Sequence, residues 1–397
     1  MPDTERILTR LLDVAKAAQY CGWDKHDGLL SPLLRATCSW SRLTRLAAIQ
    51  LVTRSPWNLR PMLGIPLTRN PKGAGLFARA NLLAAPFLGD PSRATEAASL
   101  LTWLTEHTSA GHPGASWGYQ YPWQDAGFLA PAHSANRVVT CWIGFAFHAA
   151  WSATHDPRYL DVCVKTCEFL RTAPNRTVDT PEELCLSYVP DARVTWAVMD
   201  VSALCGKMFA LTGTAVKDTS VIADARRCMT YVARRQTHYG GWFYTDPPKA
   251  SHITHDNYHT GIILDCFADY ASATGDTQFC GAYSHGLHFY DSALFLKDGA
   301  PKWMNDRIFP HDIHGAAQGI ITFSRAASQD RLWLERAEEI LRWTIENLYD
   351  PEDGVFWWRK NARRVKRIPL MRWCNAWMAV ALAEYLAAKG QSSTRRP

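Results

Sequence analysis

The sequence predicts an all-α (α/α)6 toroid, a closed double ring of six helical hairpins. Three observations predict it: an internal repeat, a regular difference between the two helices of each repeat, and polar loops that would meet at one end. The segments beginning at Ser152 and Ser272 align without a gap at an offset of 120 residues, and a related segment from Leu211 falls midway. The repeat is therefore about 60 residues long, half of that offset, and repeats of about this length indicate units that bury their apolar faces against their neighbours.

Each repeat combines two helices of different character. The first is apolar all round, as in VVTCWIGFAFHAAWSA (138–153), and the second is amphipathic, as in DRLWLERAEEILRWTIENL (330–348). Helices that are apolar on every side are expected in the inner ring, and one-sided helices in the outer ring. We predict a single toroid domain over 1–388 and a disordered tail over 389–397. The inner helices should begin near residues 28, 73, 136, 192, 258, 313 and 370.

The composition excludes several classes of protein. The chain is 47% hydrophobic and 20% charged, with a formal net charge of +6 and one basic cluster, RKNARRVKR (359–367). This run is either a solvated loop or a contact for an acidic ligand or a membrane surface. The start of the chain has no apolar signal segment, and no apolar run is long enough to span a bilayer. Eleven cysteines without CxxC pairs fit reduced thiols. We expect a cytoplasmic protein without a nucleic-acid partner, and peripheral membrane association stays open.

Aromatic side chains are unusually frequent, with 17 tryptophans. In a toroid the loops before the inner helices converge on one concave end, which is the default place for a binding site. Large flat faces there suit sugar rings, although most tryptophans simply pack. The loop WGYQYPWQD contributes the candidates Trp117, Tyr119, Tyr121, Trp123 and Asp125, the last as acid, base or hydroxyl acceptor. A structural loop plug would use the same residues.

The loop WDKHDG contributes Asp24 and Asp27. These carboxylates would either hydrogen-bond sugar hydroxyls or have a structural role, as a helix N-cap or in an Asx-turn. Arg372 enters the last inner helix beside Trp373, and an unpaired buried charge is costly. Asp256 or Asp312 could supply the partner, or a ligand carboxylate or phosphate could do so, and a purely internal salt bridge is the alternative.

Two loops share a dense polar pattern, THDNYHTG (254–261) and PHDIHGAAQG (310–319). Two imidazoles facing each other across the ring could exchange a proton with a sugar carbon. The aspartates could instead form a glycosidase acid/base pair, or serve only as helix N-caps. A metal site is disfavoured because no HExxH or Cys/His set is present, and no cofactor is expected. The candidates are His255, Asp256, Asn257 and His259 in the first loop, and Asp312, His314 and Gln318 in the second.

With these loops in place, the chain resembles the six-hairpin glycosidase superfamily, which includes glycosidases, polysaccharide lyases and the N-acylglucosamine 2-epimerase type, where two histidines shuttle a proton. More narrowly, WDKHDGLLSP, NPKGAGLF, WGYQYPWQD, HDNYHTGIILDCF, GAPKWMNDRIFPHDIHGAAQGIIT and IPLMRWCNAWM resemble a bacterial and archaeal family encoded beside capsule and exopolysaccharide genes. The resemblance runs over nearly the whole chain. It implies a role in the assembly of a surface glycan, on a saccharide, nucleotide sugar or lipid-linked glycan.

The sequence therefore predicts a carbohydrate-active protein that modifies a sugar by acid/base chemistry, as an epimerase does. A glycoside hydrolase or polysaccharide lyase using Asp125, Asp256 or Asp312 is the first alternative. A non-catalytic glycan-binding assembly protein is the second. Terpenoid cyclases use the same toroid, but their DxDD and DDxxD motifs are absent.

Overall fold

A closed ring of six inner helices forms the centre of the protein. The computed structural model describes residues 3–125, 128–194 and 196–394. Inner helices contact one another in the order α4, α6, α8, α10, α12, α14, and α14 returns to α4. Helices α5, α7, α9, α11 and α13 each pack outside the inner helix that precedes them, and α1 packs against α14 as the sixth outer helix. The predicted (α/α)6 toroid is therefore confirmed.

The helices have the following bounds: α1 Thr4–Ala17, α2 Pro32–Cys38, α3 Arg42–Arg54, α4 Pro71–Leu88, α5 Ser92–Glu106, α6 Arg137–Thr154, α7 Pro157–Thr172, α8 Met199–Val216, α9 Thr219–Ala233, α10 Asn257–Thr274, α11 Cys280–Leu294, α12 Ile313–Ala326, α13 Leu332–Leu348 and α14 Trp377–Thr394. A π-helix over Met371–Ala376 leads into α14, and single 3-10 turns lie at Asp27–Leu30 and Pro248–Ala250.

Short antiparallel strands tie the loops together. They are β1 Cys21–Gly22 with β2 Thr68–Arg69, β3 Trp123–Gln124 with β4 Leu129–Ala130, β5 Arg176–Asp179 with β6 Leu184–Leu186, β7 Ala197–Val198 with β8 Thr245–Asp246, and β10 Tyr349–Asp350 with β11 Val355–Phe356. A three-stranded sheet has the order β13 (Val365–Lys366), β12 (Arg359–Lys360), β9 (His311–Asp312). None of the described helices is long and apolar enough to cross a membrane.

Side-chain caps fix where most inner helices begin. Asn70 accepts a hydrogen bond from the amide of Gly73, and Asn136 accepts one from Val139. Asp256 and Asp312 cap α10 and α12 in the same way, so both aspartates do serve as N-caps. Each cap satisfies an amide that the first turn leaves unpaired. These four caps therefore fix which residue begins each of α4, α6, α10 and α12.

Two predicted helix starts were wrong. No inner helix begins near 28, because residues 27–54 form a 3-10 turn and the short helices α2 and α3, which build a separate small core of Leu29, Leu34, Ala48, Ile49, Val52 and Ile65. The start expected near 192 lies at Met199. Its N-cap, Val198, makes no side-chain cap, so the sequence carried no signal there.

The single-domain boundary at 388 and the disordered tail stay predictions. Helix α14 continues to Thr394, beyond the expected end of the domain at 388. The single Gly390 costs a helix only about 1 kcal/mol relative to alanine, which does not force an end. Residues 395–397 of the predicted tail lie outside the described residues.

Candidate active site

The second residues of the inner helices and of the π-helix lie close together at one end of the ring; we call them the floor, and we call the space enclosed by the loops before these helices the pit. Going round, they are Lys72, Val138, Asp200, Tyr258, His314 and Arg372. Five of the six are polar, and all six are less than a tenth exposed. Polar side chains in the middle of a protein need partners. Floor residues that are paired with protein groups have a structural role, whereas those without such partners are the candidates for chemistry.

Lys72 carries an ammonium that forms no ion pair with a described residue. Its Nζ lies 5.3 Å from the ring centres of both Trp142 and Trp377. Burial and the nearby Arg372 lower the pKa of Lys72 to about 7, although Asp200 opposes this. Lys72 therefore exchanges between a neutral amine and an ammonium near neutral pH.

Asp200 is buried to 3% exposure, and its Oδ1 has no hydrogen-bond partner among the described residues. Burial raises the pKa of this carboxyl, against the attraction of His259 and Lys72. A buried carboxyl with a raised pKa and an open hydrogen-bonding position is a common property of catalytic acids. Asp200 was not among the predicted candidates.

His259 forms a dyad with the cap of its own helix. Its Nδ1 lies 2.6 Å from Asp256 Oδ2, which fixes the proton on Nδ1 and leaves Nε2 as the other reactive nitrogen. The ring lies against Tyr244 and Tyr258 at tilted angles of 44° and 47°, and its side chain is 16% exposed. Burial disfavours the charged ring, but Asp256 and Asp200 outweigh burial and raise the pKa of His259.

His314 belongs to the same floor and is only 2% exposed. Its ring stacks on Tyr258 at 4.4 Å and contacts Trp373 and Trp377 at 4.6 and 4.3 Å. Neither ring nitrogen has a hydrogen-bond partner among the described residues. Burial, with Lys72 and Arg372 nearby, holds the pKa of His314 well below its usual value, so the ring is neutral. Tyr258 separates it from His259.

The walls of the pit are aromatic. Tyr119 stacks on Tyr121 with ring centres 5.3 Å apart, and Trp123 meets the edge of Tyr119 and contacts Tyr188 at 5.4 Å. Burial raises the pKa of Tyr119 and Tyr188, yet both retain exposed surface. A side chain that is surrounded by protein yet keeps some exposed surface is typical of the wall of a concave site. These faces are suited to stacking on a sugar ring.

Lys25 closes one side of the mouth. Its Nζ lies 3.7 Å above the ring centre of Trp373. Burial lowers its pKa to about 8, while Asp312 opposes this. A cation held over an aromatic ring at the mouth would meet a polar or anionic ligand first.

Two predicted ligand-binding carboxylates instead hold the wall together. Asp24 pairs with Arg372, whose Nε donates to Oδ2 at 2.7 Å, and Asp24 also accepts from Asn70. Arg372 therefore forms an internal salt bridge, and its partner is Asp24 rather than the suggested Asp256 or Asp312, because the loop at residue 24 reaches the π-helix. Asp27 pairs with the buried Arg60 at 2.9 Å. Both carboxylates are therefore occupied by protein.

Asp312 is likewise occupied. Besides capping α12, it accepts indole hydrogen bonds from Trp373 at 2.8 Å and from Trp358 at 3.1 Å. Trp373 thus orients the cap and forms part of the floor at once. These contacts leave Asp312 the role of an anchor for the floor.

Four further candidates bond to the scaffold. His255 donates from Nδ1 to the Trp242 carbonyl oxygen and accepts at Nε2 from the Tyr239 hydroxyl, both at 2.7 Å. Three others hold neighbouring elements: Asn257 donates to the Leu294 carbonyl oxygen, Gln318 to Asp265, and Trp117 to the Leu104 carbonyl oxygen. Tyr121 is buried with an unpaired hydroxyl in the described part of the chain.

Asp125 lies in the β3–β4 turn, where its amide donates to the Phe128 carbonyl oxygen at 2.9 Å. Its carboxylate is close enough to Tyr244 to contribute to the raised pKa of that phenol. Residues 126–127 of the same turn lie outside the described residues. Asp125 thus belongs to the rim rather than the floor.

Other parts of the surface are less suited to chemistry. In the described ranges no cluster of three or more His, Cys, Asp or Glu side chains could hold a metal ion. A surface depression along α1, lined by Arg6, Arg10 and Asp13 among others, contains none of the floor residues. The pit therefore remains the candidate site.

Comparisons with known proteins bear on the fold. No protein-family model and no curated protein matches the chain. Solved structures do: cellobiose 2-epimerase from Bacillus thermoamylovorans B4167 has a TM-score of 0.62 at 11% identity, covering 81% of this chain and 88% of that one. A GH76 α-mannanase from Bacteroides thetaiotaomicron has a TM-score of 0.61 at 11% identity, covering 83% and 88%.

A third similar structure is an unsaturated glucuronyl hydrolase specific for heparin, with a TM-score of 0.61 at 13% identity and coverage of 98% of both chains. At these identities the likeness is one of architecture. The chain has the six-hairpin (α/α)6 fold that these three structures share.

Proposed function

We propose that the protein is a carbohydrate-active enzyme that moves a proton on its sugar substrate, as an epimerase does, at the floor of the pit. The carrying observation is the placement of Lys72 and His259. They lie on α4 and α10, three places apart in a ring of six, and so approach the pit from opposite sides. Burial brings the pKa of Lys72 down to about 7, and carboxylates raise that of His259.

A lysine whose pKa is about 7 and a histidine whose pKa is raised by neighbouring carboxylates suit proton exchange at neutral pH. Neutral Lys72 accepts the proton from the carbon next to the carbonyl of an open-chain sugar, and the bonding pair moves into an enediolate. Protonated His259 then delivers its proton to the opposite face of that carbon, and the pair forms the new C–H bond. Lys72 leaves charged and His259 neutral, and a proton returned through water resets them.

The neighbouring residues support these steps. Asp256 holds the His259 ring in one tautomer and stabilises its charge. Asp200 offers its unpaired Oδ1 to a sugar hydroxyl. Tyr119 and Trp123 provide faces for the sugar ring. The two-histidine shuttle that includes His314 stays a prediction. Both ring nitrogens of His314 are covered by protein, so we assign the second proton carrier to Lys72 instead.

A saccharide substrate is further supported by the sugar epimerases and glycosidases among the similar structures. The motif resemblance supports a cytoplasmic role in the biosynthesis of a surface polysaccharide, on a free, nucleotide-linked or lipid-linked sugar. The specific sugar is a matter for the experiment below.

Hydrolysis is the second candidate, and Asp200 is the observation that favours it. A carboxyl whose pKa is raised by burial can protonate a glycosidic oxygen, as the acid of a glycosidase does. Asp256 would then act through His259 or on water. Asp312 fits this role poorly because two indoles and an amide already occupy it.

The experiment incubates the protein in D2O with a panel of neutral, N-acetylated and acidic sugars, free and nucleotide-linked, and follows them by NMR. We expect deuterium at one sugar carbon together with an epimer, and loss of both in His259→Gln and Lys72→Met. The exposed Lys249→Met is the matched control. A new reducing end without deuterium would favour the hydrolase, and saturable binding without turnover would contradict both.

A further inference from the structure

The segment 33–67 exposes an unusual amount of apolar surface. Half of the exposed large apolar side chains in the described ranges lie in it. Trp40 is 77% exposed, Trp57 74% and Met62 84%. Single exposed apolar residues need no explanation, but a contiguous set marks an interaction surface. The members are Leu33, Trp40, Leu43, Leu51, Trp57, Met62 and Leu67.

Helix α3 within this segment is apolar on two sides. Its inner side, with Ala48, Ile49 and Val52, packs into the small core beneath it. Its outer side presents Leu43, Ala47 and Leu51 to solvent, at a spacing of four residues. Residues four apart share one face of a helix. Solvation does not explain an apolar stripe on the outer face.

The same region is purely cationic. Residues 33–67 contain five arginines and no aspartate or glutamate, a formal charge of +5, and one of the five, Arg60, is buried and paired with Asp27. Three of these arginines, Arg35, Arg42 and Arg54, are exposed around α2 and α3.

The basic hairpin of β12 and β13 extends this surface. Lys366 Nζ donates to the Thr53 carbonyl oxygen at 2.7 Å, and Arg359 Nη2 donates to the same oxygen at 3.4 Å. These bonds join the hairpin to the end of α3. The hairpin carries the exposed Arg363, Arg364 and Arg367, so it adds positive charge next to the end of α3. We call residues 33–67 together with 359–367 the basic apolar face.

We propose that the basic apolar face docks on the surface of a bilayer that contains anionic lipid. Tryptophans at protruding loops insert at the level of lipid headgroups, and arginines around them bind lipid phosphates. Two copies of this face would repel each other, because neither carries an acidic residue between 28 and 89. An anionic lipid surface matches both the apolar stripe and the charge.

Docking would bring the pit to the membrane. The Thr53 hydroxyl donates to the carbonyl oxygen of Lys25 at 3.0 Å, and Lys25 lies over Trp373 at the mouth. Arg45 of α3 also bonds to Gln124 on the rim at 2.8 Å. The mouth would therefore open near the headgroups. The docking proposal stands whether or not the pit transfers protons.

The test is co-sedimentation of the full chain with vesicles of phosphatidylcholine alone, or of phosphatidylcholine with a quarter phosphatidylglycerol. We expect binding only to the anionic vesicles, weakened by added salt. The double variant Trp40→Ser/Trp57→Ser should bind about tenfold more weakly for each ring removed. The pair Arg42→Gln/Arg363→Gln should weaken binding about fivefold per charge. Thermal unfolding checks that each variant is folded.

Leu332→Ser is the matched control, since Leu332 is 66% exposed on the outer ring and outside this face. It should bind vesicles as the unmodified protein does. Absence of binding to the anionic vesicles, or equal binding by the tryptophan variant, would overturn the proposal. So would a dimer in solution that the tryptophan variant dissociates without any vesicle binding, because the face would then join two copies of the chain.

Discussion

Buried charged side chains of the inner helices differ in how they are paired at two depths of the ring. About 15 Å beyond the floor, at ten residues along α10 from His259, Asp269 forms an ion pair with Lys207 at 2.5 Å and another with Arg325. Asp265 accepts from Gln318 at 2.8 Å in the same network. At the floor, by contrast, Lys72 forms no ion pair in the described chain and Asp200 Oδ1 lacks a hydrogen bond.

The difference separates structure from function. A buried charge without a partner costs free energy, and a fold keeps it where something other than stability requires it. The deeper network satisfies its own charges and holds α8, α10 and α12 together. The floor leaves hydrogen-bonding capacity for a ligand. Asp24–Arg372 and Asp27–Arg60 show that pairing at the pit end is achievable, so the unpaired groups beside them are informative.

The largest expected effect is on activity at the floor. His259→Gln should lower kcat/KM by about 10²- to 10⁴-fold, because it removes the proton carrier, while the free energy of unfolding changes little. His255→Gln should do the reverse, since His255 bonds to Trp242 and Tyr239 in the scaffold. Turnover and urea unfolding of both variants measure this, with the exposed His288→Gln as control. Equal losses of activity in the two variants would contradict the division.

In the deeper network, Asp269→Asn should lower the free energy of unfolding by about 3 to 5 kcal/mol, because Lys207 and Arg325 would lose their common carboxylate. Those two cations hold the pKa of Asp269 below its usual value although burial opposes them. This contribution is therefore present at neutral pH and is lost as pH falls through the folded pKa. Urea unfolding at pH 7 checks the first statement, and a series below pH 4, under the ordinary pKa of an aspartate, checks the second. An unchanged midpoint at pH 7 would show that the network is not satisfied as described.

Lys72→Met should make stability less dependent on pH. The folded pKa of Lys72, about 7, lies below the unfolded value near 10.4, so the unfolded chain binds more protons between these values. The cost of burying this group is complete below pH 7 and disappears above pH 10. The variant should thus be more stable than the unmodified protein at pH 6.5, and the gap should close by pH 10. Unfolding midpoints at both pH values measure it, and a constant gap would refute it.

The smallest effect is expected for Asp200→Asn, which matches the Asp269 substitution at the other depth of the ring. The amide removes a carboxylate that burial disfavours, so stability should stay equal or rise by about 1 kcal/mol, opposite in sign to Asp269→Asn. The same urea titrations measure it. A loss of several kcal/mol would mean that Asp200 has a structural partner after all.

Most of the helical architecture could be predicted from the sequence, because each repeat has a clear hydrophobic periodicity. Four inner helices begin directly after residues that are favoured as N-caps, namely Asn70, Asn136, Asp256 and Asp312. Helix α8 has no side-chain cap, and its start was placed seven residues early, which hid Asp200. Lys72 was visible in the loop NPKGAGLF, and its position just after the capped Asn70 was the signal that could have found it.

Partner choice was beyond the sequence. Asp24, Asp27 and Arg372 all suit ligand binding by residue type, but pairing depends on which loop reaches which helix. His255 and His259 are four residues apart in one motif, yet only one faces the pit. Periodicity fixes the face of a helix, whereas the last residues before it follow the path of the loop. That path depends on long-range contacts such as the bond from Tyr239 to His255.

Lys72 is a buried lysine that forms no ion pair in the described part of the chain, and its pKa decides whether it can carry a proton at the floor. NMR titration of the chain with ¹³C-labelled lysine measures this pKa most directly, with Lys72→Met assigning the resonance. We expect the Lys72 Cε signal to titrate near pH 7, and its pKa to change when a sugar binds. A Lys72 signal that titrates near pH 10.4, as an ordinary lysine does, would contradict the account.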